Sequence, residues 1–234
     1  MKIISLLLLI VLNVQSSTRP VEPAGAWTPL FASDGRPEGW VVTEWSDVAR
    51  PVEGAEWTVA GGILRSGEQR GTWLISEREY GDFILELEIK LTQLGNSGIA
   101  LRAPMHGDPA FDGLEFQVAD VRYNPEAKDS ELTGGVYRAI APAKQVYRPE
   151  QWNQVRIELN GARLKATLND ELIQDIDLSR HDQPIPRHDG AMAPPIKDRP
   201  LRGHIGFQHL SRDGGVQIRN ARIMEIPAPK PAPK

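Results

Sequence analysis

The chain has 234 residues, of which 40% are hydrophobic and 25% charged, with 21 Gly, 19 Pro and no Cys. This length suits one large domain with tails, and the composition excludes a disordered chain or a multi-span membrane protein. A net charge of −4 argues against an electrostatic nucleic-acid binder, and the lack of Cys excludes disulfides, thiolate metal sites and a cysteine nucleophile.

The first segment reads as an address rather than as fold. Lys2 precedes the apolar run from Ile3 to Val14, interrupted only by Ser5 and Asn13. Twelve helical residues reach only about 18 Å, short of the roughly 30 Å hydrocarbon core of a bilayer. No membrane span is therefore expected. Residues 1–17 read as a secretory signal peptide ending near Ser16 or Ser17, so the mature chain is expected in the periplasm or outside the cell.

Strands dominate the rest of the chain. Glu56 to Val59, Ile63 to Arg65 and Thr72 to Ser76 are short candidates. Asp82 to Leu91 is the clearest, because Phe83, Leu85, Leu87, Ile89 and Leu91 share one parity while Glu86, Glu88 and Lys90 share the other. Period two with one apolar face is a half-buried strand. Ser97 to Arg102, Leu114 to Asp120 and Gly135 to Arg138 are further candidates. Trp152 to Leu159 and Arg163 to Leu168 flank Asn160-Gly161, a hairpin signal, and Glu171 to Ile176 comes next. Ser179 to Arg202 is a long insertion whose five prolines predict an irregular loop. His204 to His209 and Val216 to Ile226 close the fold, with a parity break near Asn220 that predicts a bulge. Residues 227–234 form a Pro-rich tail. Outside the signal segment no long stretch shows a clean helical period. The expectation is one all-β domain over residues 27–226, two antiparallel sheets packed face to face.

An ordered set of motifs resembles the family of 3-keto-disaccharide hydrolase or 3-keto-glucoside-1,2-lyase/hydratase domains. It comprises Thr28-Pro-Leu-Phe31 with Gly39-Trp40, Trp57 with Gly61-Gly62-Ile63-Leu64, Glu79-Tyr-Gly-Asp-Phe83 and Gly95-Asn-Ser-Gly-Ile99 with Arg102. Gly113-Leu-Glu-Phe-Gln-Val-Ala-Asp120, Thr133-Gly134 with Tyr137, Gln151-Trp-Asn153, Ile205-Gly-Phe-Gln208 and Arg219-Asn220 complete it. The resemblance implies a concanavalin-like jelly-roll sandwich. It also implies an enzyme acting on 3-keto-glycosides, with an oligosaccharide or glycoside as partner.

A ketone at C3 acidifies the C2 proton. Its removal gives an enolate that can expel the C1 substituent, and re-addition of water makes the net reaction a hydrolysis. This chemistry needs a base, a group that stabilises charge on the C3 oxygen, and an acid for the leaving oxygen. Glu115 and Gln117 share one parity of their strand, opposite Leu114, Phe116 and Val118. Glu115 is the expected base, and Gln117 the ligand of a hydroxyl or enolate. Both are expected on the outer polar face, where a plain solvated surface is the simpler alternative. Asp120 lies at an odd offset and faces away on an unbulged strand. Arg102 has the parity of Gly98 and Ala100 and a guanidinium fork suited to an enolate; a surface ion pair explains it equally well. Asn96 begins a candidate ligand loop, and Tyr137 and Trp152 could stack on a sugar, though Trp152 fits a core role better. By family position Gln208 is a binding candidate and His209 a catalytic one. His181/Asp182 and His188/Asp189 fit a solvated lid better than a metal site. No dinucleotide fingerprint, phosphate loop or nucleophile elbow occurs, so no cofactor is expected and the keto sugar must come from a separate redox enzyme; no residue is assigned to a metal. A noncatalytic carbohydrate-binding module and a glucanase-like hydrolase remain alternative functions.

Overall fold

The structure, a computed structural model, describes residues 25–227. The expected signal peptide, and the tail beyond Pro227, lie outside the described residues. In chain order the strands are β1 (Thr28–Pro29), β2 (Trp40–Glu44), β3 (Trp57–Ala60), β4 (Ile63–Ser66), β5 (Thr72–Tyr80), β6 (Phe83–Leu91), β7 (Asn96–Ala103) and β8 (Leu114–Ala119). They continue with β9 (Asn153–Asn160), β10 (Arg163–Leu168), β11 (Glu171–Asp177), β12 (Ile185–Pro186), β13 (Met192–Ala193), β14 (Gly203–His209) and β15 (Val216–Glu225). Among the described residues one short α-helix, α1 (Pro109–Asp112), precedes β8, and three single 3-10 turns lie in the later loops.

The strands form two large antiparallel sheets and a separate two-stranded pair, β12-β13. The larger runs β11-β10-β9-β6-β15-β4-β3, with β1 added on β15, and the smaller runs β2-β5-β14-β7-β8. Alternation explains the larger sheet. Phe83, Leu85, Leu87, Ile89 and Leu91 of β6 are buried beside Val155, Ile157 and Leu159 of β9 and Leu164, Ala166 and Leu168 of β10. β9 and β10 meet at a tight turn where Gly161 takes a φ of +54°. The expected bulge in β15 is present: the pairing with β6 shifts between Arg219 and Arg222, and Asn220 has a φ of +54°. Facing this sheet, Trp40, Phe31 and Phe207 pack with ring centroids 5.1 to 6.0 Å apart.

Two local expectations change, and strand β2 was not expected. Gly135 to Arg138 is not a strand; Val136 alone makes isolated bridges to Phe116 and Ile140. β2 has no readable alternation, because both Val42 and its neighbour Thr43 are buried. The insertion is not wholly irregular: β12 and β13 pair antiparallel, with Pro186 opposite Met192. A two-residue strand gives proline few ladder bonds to disrupt. Leu178, Ile185, Ala193, Ile196 and Arg199 anchor this segment in the domain.

The largest departure concerns the smaller sheet. Every residue of β8 and β14 is buried. Antiparallel sheets commonly leave one face wet, but here the loop carrying α1 and the insertion cover the outer face.

Arg102 is also not where parity places it. The pairing of β14 with β7 slips between His204 and Gly206, and Arg102 has a φ of +51°. The extra residue turns its side chain off the outer face. It is fully buried, with Nε donating to Gly81 O (2.8 Å), one terminal nitrogen to Gly161 O (2.8 Å) and the other to Asp82 Oδ1 (2.8 Å). Arg102 thus bolts the β5–β6 turn to the β9–β10 turn. Removing one partner of a buried pair typically costs about 3–5 kcal/mol. Arg102→Ala is expected to lower stability by about 3 kcal/mol in urea denaturation; a loss under ~1 kcal/mol would show that the bolt is dispensable.

Candidate functional site

The outer face of the smaller sheet carries small residues in adjacent rows. Gly98 of β7 stands opposite Gln117 of β8, and Ala100 opposite Glu115. Gly206 of β14 stands opposite both Ala100 and Ile75. The space over these residues is filled by their neighbours. A Cβ built on Gly98 would lie 1.8 Å from Glu115 Oε1. Glycine at 98 is therefore what lets the Glu115 side chain lie flat across the sheet.

Around that carboxyl is a narrow cleft of about 260 Å³, counting its open mouth. Asn96, Glu115, Gln117 and Gln208 rise from the sheet, Trp45 and Leu210 flank it, and Asp108, Ala110, Tyr137 and His188 come from the covering loops. His188 Nε2 and Tyr137 Oη lie 3.4 Å apart and narrow the mouth. The His188 ring also meets Phe111 edge-on at 5.4 Å and Trp45 at 6.0 Å. Gln117 Nε2 donates weakly to Asn96 Oδ1 (3.4 Å).

Glu115 is 3% exposed. Among the described residues neither its carboxyl nor the side-chain amide of buried Gln208 has a protein hydrogen-bond partner. Both groups line the cleft and are free to meet a ligand there, unlike the sealed, partnerless side-chain atoms among the described residues, which belong to Thr43, Tyr147, Arg199 and His209. Burial, reinforced by Asp108, pushes the Glu115 carboxyl well above its ordinary range. The neutral acid is therefore its favoured form.

Asp108 is the second buried carboxyl. It caps α1, its Oδ1 accepting from Ala110 N at 3.0 Å. Burial raises it to about 6 against the pull of that bond; Asp112 raises it further, while Arg187 and Arg199 lower it. Neither arginine hydrogen-bonds to it. Arg187 forks onto both oxygens of Asp112, and Arg199 donates to the carbonyls of Ala110 and Gly113. Burial likewise pushes the Tyr137 hydroxyl upward, with Glu115 next in effect, so it stays a proton donor.

Of the expected residues, the cleft gathers Glu115, Asn96, Gln117, Tyr137 and Gln208. It does not gather Arg102, Asp120 or His209. Asp120 turns away as its odd offset requires. Its carboxylate is held low, chiefly by the Arg122 side chain, whose Nε donates at 2.9 Å. His209 shares the parity of core-facing Phe207, so its buried ring points off the cleft, and that burial lowers its proton affinity. Glu115 itself is buried rather than on a solvated face, which disfavours the anionic form a base requires. Trp152 lies half-buried outside the core, beneath the Arg219 guanidinium at 4.2 Å.

Asp108, Trp45 and the cleft position of His188 were not legible in the sequence. Asp108-Pro109 is a readable helix start, but nothing local says which sheet face the turn covers. A larger groove of about 1470 Å³, counted the same way, lies outside β6, β9 and β15. Two of its three carboxylates are tied up, Glu86 by Arg156 and Arg222 and Glu88 by Arg219 and Asn220, while Asp170 lines it from the β10–β11 turn. Proton chemistry is better served by the smaller cleft.

The raised Asp108 has a consequence for stability. A folded-state value above the unfolded one means that the folded protein binds the proton more tightly. Stability is then greatest below the unfolded value and falls as pH rises toward the folded one. A displacement from 3.8 to about 6 corresponds to ~3 kcal/mol. Glu115 acts in the same direction. Asp108→Asn keeps a helix-capping side chain and removes the titration. It is expected to be about 2–3 kcal/mol more stable than the wild type at pH 7.5, with little difference near pH 4. Urea midpoints at the two pH values check this; equal differences at both would refute it.

Comparison with known proteins places this site in context. Two provisional glycosyl hydrolases from Parabacteroides distasonis share the fold. One is 24% identical with a TM-score of 0.69 over 86% of this chain and 99% of its own. The other is 21% identical with a TM-score of 0.63 over 86% and 94%. A laminarinase from Rhodothermus marinus is 14% identical with a TM-score of 0.51 over 88% and 100%. At such identities the likeness is one of architecture, the jelly-roll sandwich of two antiparallel sheets. A search among curated proteins finds no match. The family model for the 3-keto-alpha-glucoside-1,2-lyase-like domain matches residues 26–224. The chain therefore belongs to the 3-keto-alpha-glucoside-1,2-lyase-like domain family, a carbohydrate-active class of domain.

Proposed function

We propose that this protein cleaves 3-keto-glycosides by removing the C2 proton and expelling the C1 substituent, with water re-adding to give net hydrolysis. The observation that carries this reading is the Glu115 carboxyl, buried without a hydrogen-bond partner in a cleft lined by amides. A binding module gains nothing from a desolvated carboxyl, whereas proton transfer depends on a displaced one. Gln208, Gln117, Asn96 and the Tyr137 hydroxyl are donors able to stabilise charge on a sugar oxygen. Trp45 offers a flat apolar wall for a pyranose ring. The ring requires the Tyr137–His188 contact to part.

Incubating the protein with a chemically prepared 3-keto-glucoside tests the reading. Mass spectrometry should find a 2-hydroxy-3-keto-glucal or free 3-keto-glucose. An unchanged substrate that nevertheless binds would make the domain a carbohydrate-binding module. Cleavage of unoxidised β-glucan instead would make it a glucanase-like hydrolase. Gln208→Ala should cost about 1–3 kcal/mol of transition-state stabilisation, roughly 5- to 150-fold in kcat/KM, with the fold intact. We also propose export, from the short apolar run before Ser16-Ser17-Thr18. N-terminal sequencing of secreted material should then begin near residue 17, and retention of Met1 would exclude cleavage there.

A further inference from the structure

We propose that Asp108 is the general base of this site and Glu115 its general acid, the pair handing two protons out and back in one elimination–hydration cycle. This rests on the 3-keto-glycoside reading and assigns the two proton roles within it.

The geometry separates the carboxyls by environment. Asp108 is fixed at the start of α1 by a backbone donor on Oδ1 (3.0 Å), and Oδ2 accepts no protein hydrogen bond among the described residues. That is a carboxylate held in place with one oxygen available. The charged groups acting on it are Asp112 from α1 and Arg187 and Arg199 from the insertion, and Asp108 in turn acts on Glu115 of β8. The two cations favour its ionised form without neutralising it, since their donors serve Asp112 and backbone carbonyls. Glu115 lies across Gly98 with no cation on it. A carboxyl in such a position keeps its proton and can donate it.

The cycle balances. The Asp108 carboxylate takes the C2 proton, and the C–H electrons form the enolate with the C3 carbonyl. As that carbonyl reforms, a C1=C2 double bond forms and the C1–O bond breaks. The leaving oxygen takes the proton of Glu115. Asp108 is now protonated and Glu115 ionised. Water attacking C1 gives a proton to Glu115, and Asp108 returns its proton to C2. The products are the freed alcohol and 3-keto-glucose, and both carboxyls end as they began. Hydration is thus the step that resets the pair directly.

The test uses the full-length protein with methyl and 4-nitrophenyl 3-keto-glucosides in deuterated water. A nitrophenolate leaves without a proton; a methoxide does not. Asp108→Asn should lose C2 deuterium exchange and cleavage of both substrates by about 10²–10⁴-fold. Glu115→Gln should keep exchange and nitrophenyl cleavage within about tenfold, and lose methyl cleavage by about 10²–10⁴-fold. Asp108→Ser, which also caps a helix, guards against a folding artefact, and circular dichroism checks each variant. Loss of exchange in Glu115→Gln, or its retention in both Asp108 variants, overturns the assignment while leaving the reaction standing. A wild type that neither exchanges nor cleaves either substrate removes the reaction, and the assignment with it.

Discussion

A carboxyl group can lie buried on a sheet without a counter-charge only where the backbone beneath it leaves room and the structure above it excludes water. Gly98 meets the first requirement, since any side chain there would collide with Glu115. The second is met by α1 and the insertion, which roof the outer face of the smaller sheet. Desolvating such a group is unfavourable by several kcal/mol. It is tolerated because the opposite face of the same strand is packed into the sandwich core through Leu114, Phe116 and Val118. Stability on one face of β8 offsets strain in proton affinity on the other.

The arginines show how the cleft is kept free of compensating charge. Arg102 is engaged by two turn carbonyls and Asp82. Arg187 is held by Asp112, with its guanidinium 5.5 Å from the Phe111 ring. Arg199, almost fully buried, binds carbonyls around α1. Each holds the roof or the frame in place, and none hydrogen-bonds to Asp108 or Glu115. Burial is the largest effect on both carboxyls, with Asp112 acting further on Asp108 and Asp108 on Glu115, and different surroundings give two acids of ordinary type different proton affinities. Asp120, gripped by Arg122, shows the opposite outcome a few residues along the same chain.

The two outer faces of the sandwich make the same contrast on a larger scale. The larger sheet has the wider groove, but Glu86 and Glu88 there are locked in ladders with Arg156, Arg219 and Arg222. Their oxygens are already committed to hydrogen bonds from arginine side chains. The smaller sheet has the tighter space and the unpaired groups. Volume points to one face and chemistry to the other; for a reaction governed by proton transfer the chemistry decides.

The order of apolar and polar residues along the chain determined the sandwich. Period-two alternation in β6, β9 and β10 requires one buried face per strand, and two such faces must meet. The parity of Glu115 with Gln117, and the odd offset of Asp120, derive from the same rule and hold in the structure. Where a bulge interrupts the pleat the rule lapses, and Arg102 turned from the cleft into a structural bolt. Parity also cannot say what lies above a sheet. That Glu115 is buried, that Asp108 joins it from a turn before β8, and that His188 arrives from the insertion were decided by tertiary packing alone. Proton affinity depends on the distance to other segments and on the exclusion of water, and neither quantity is local in sequence.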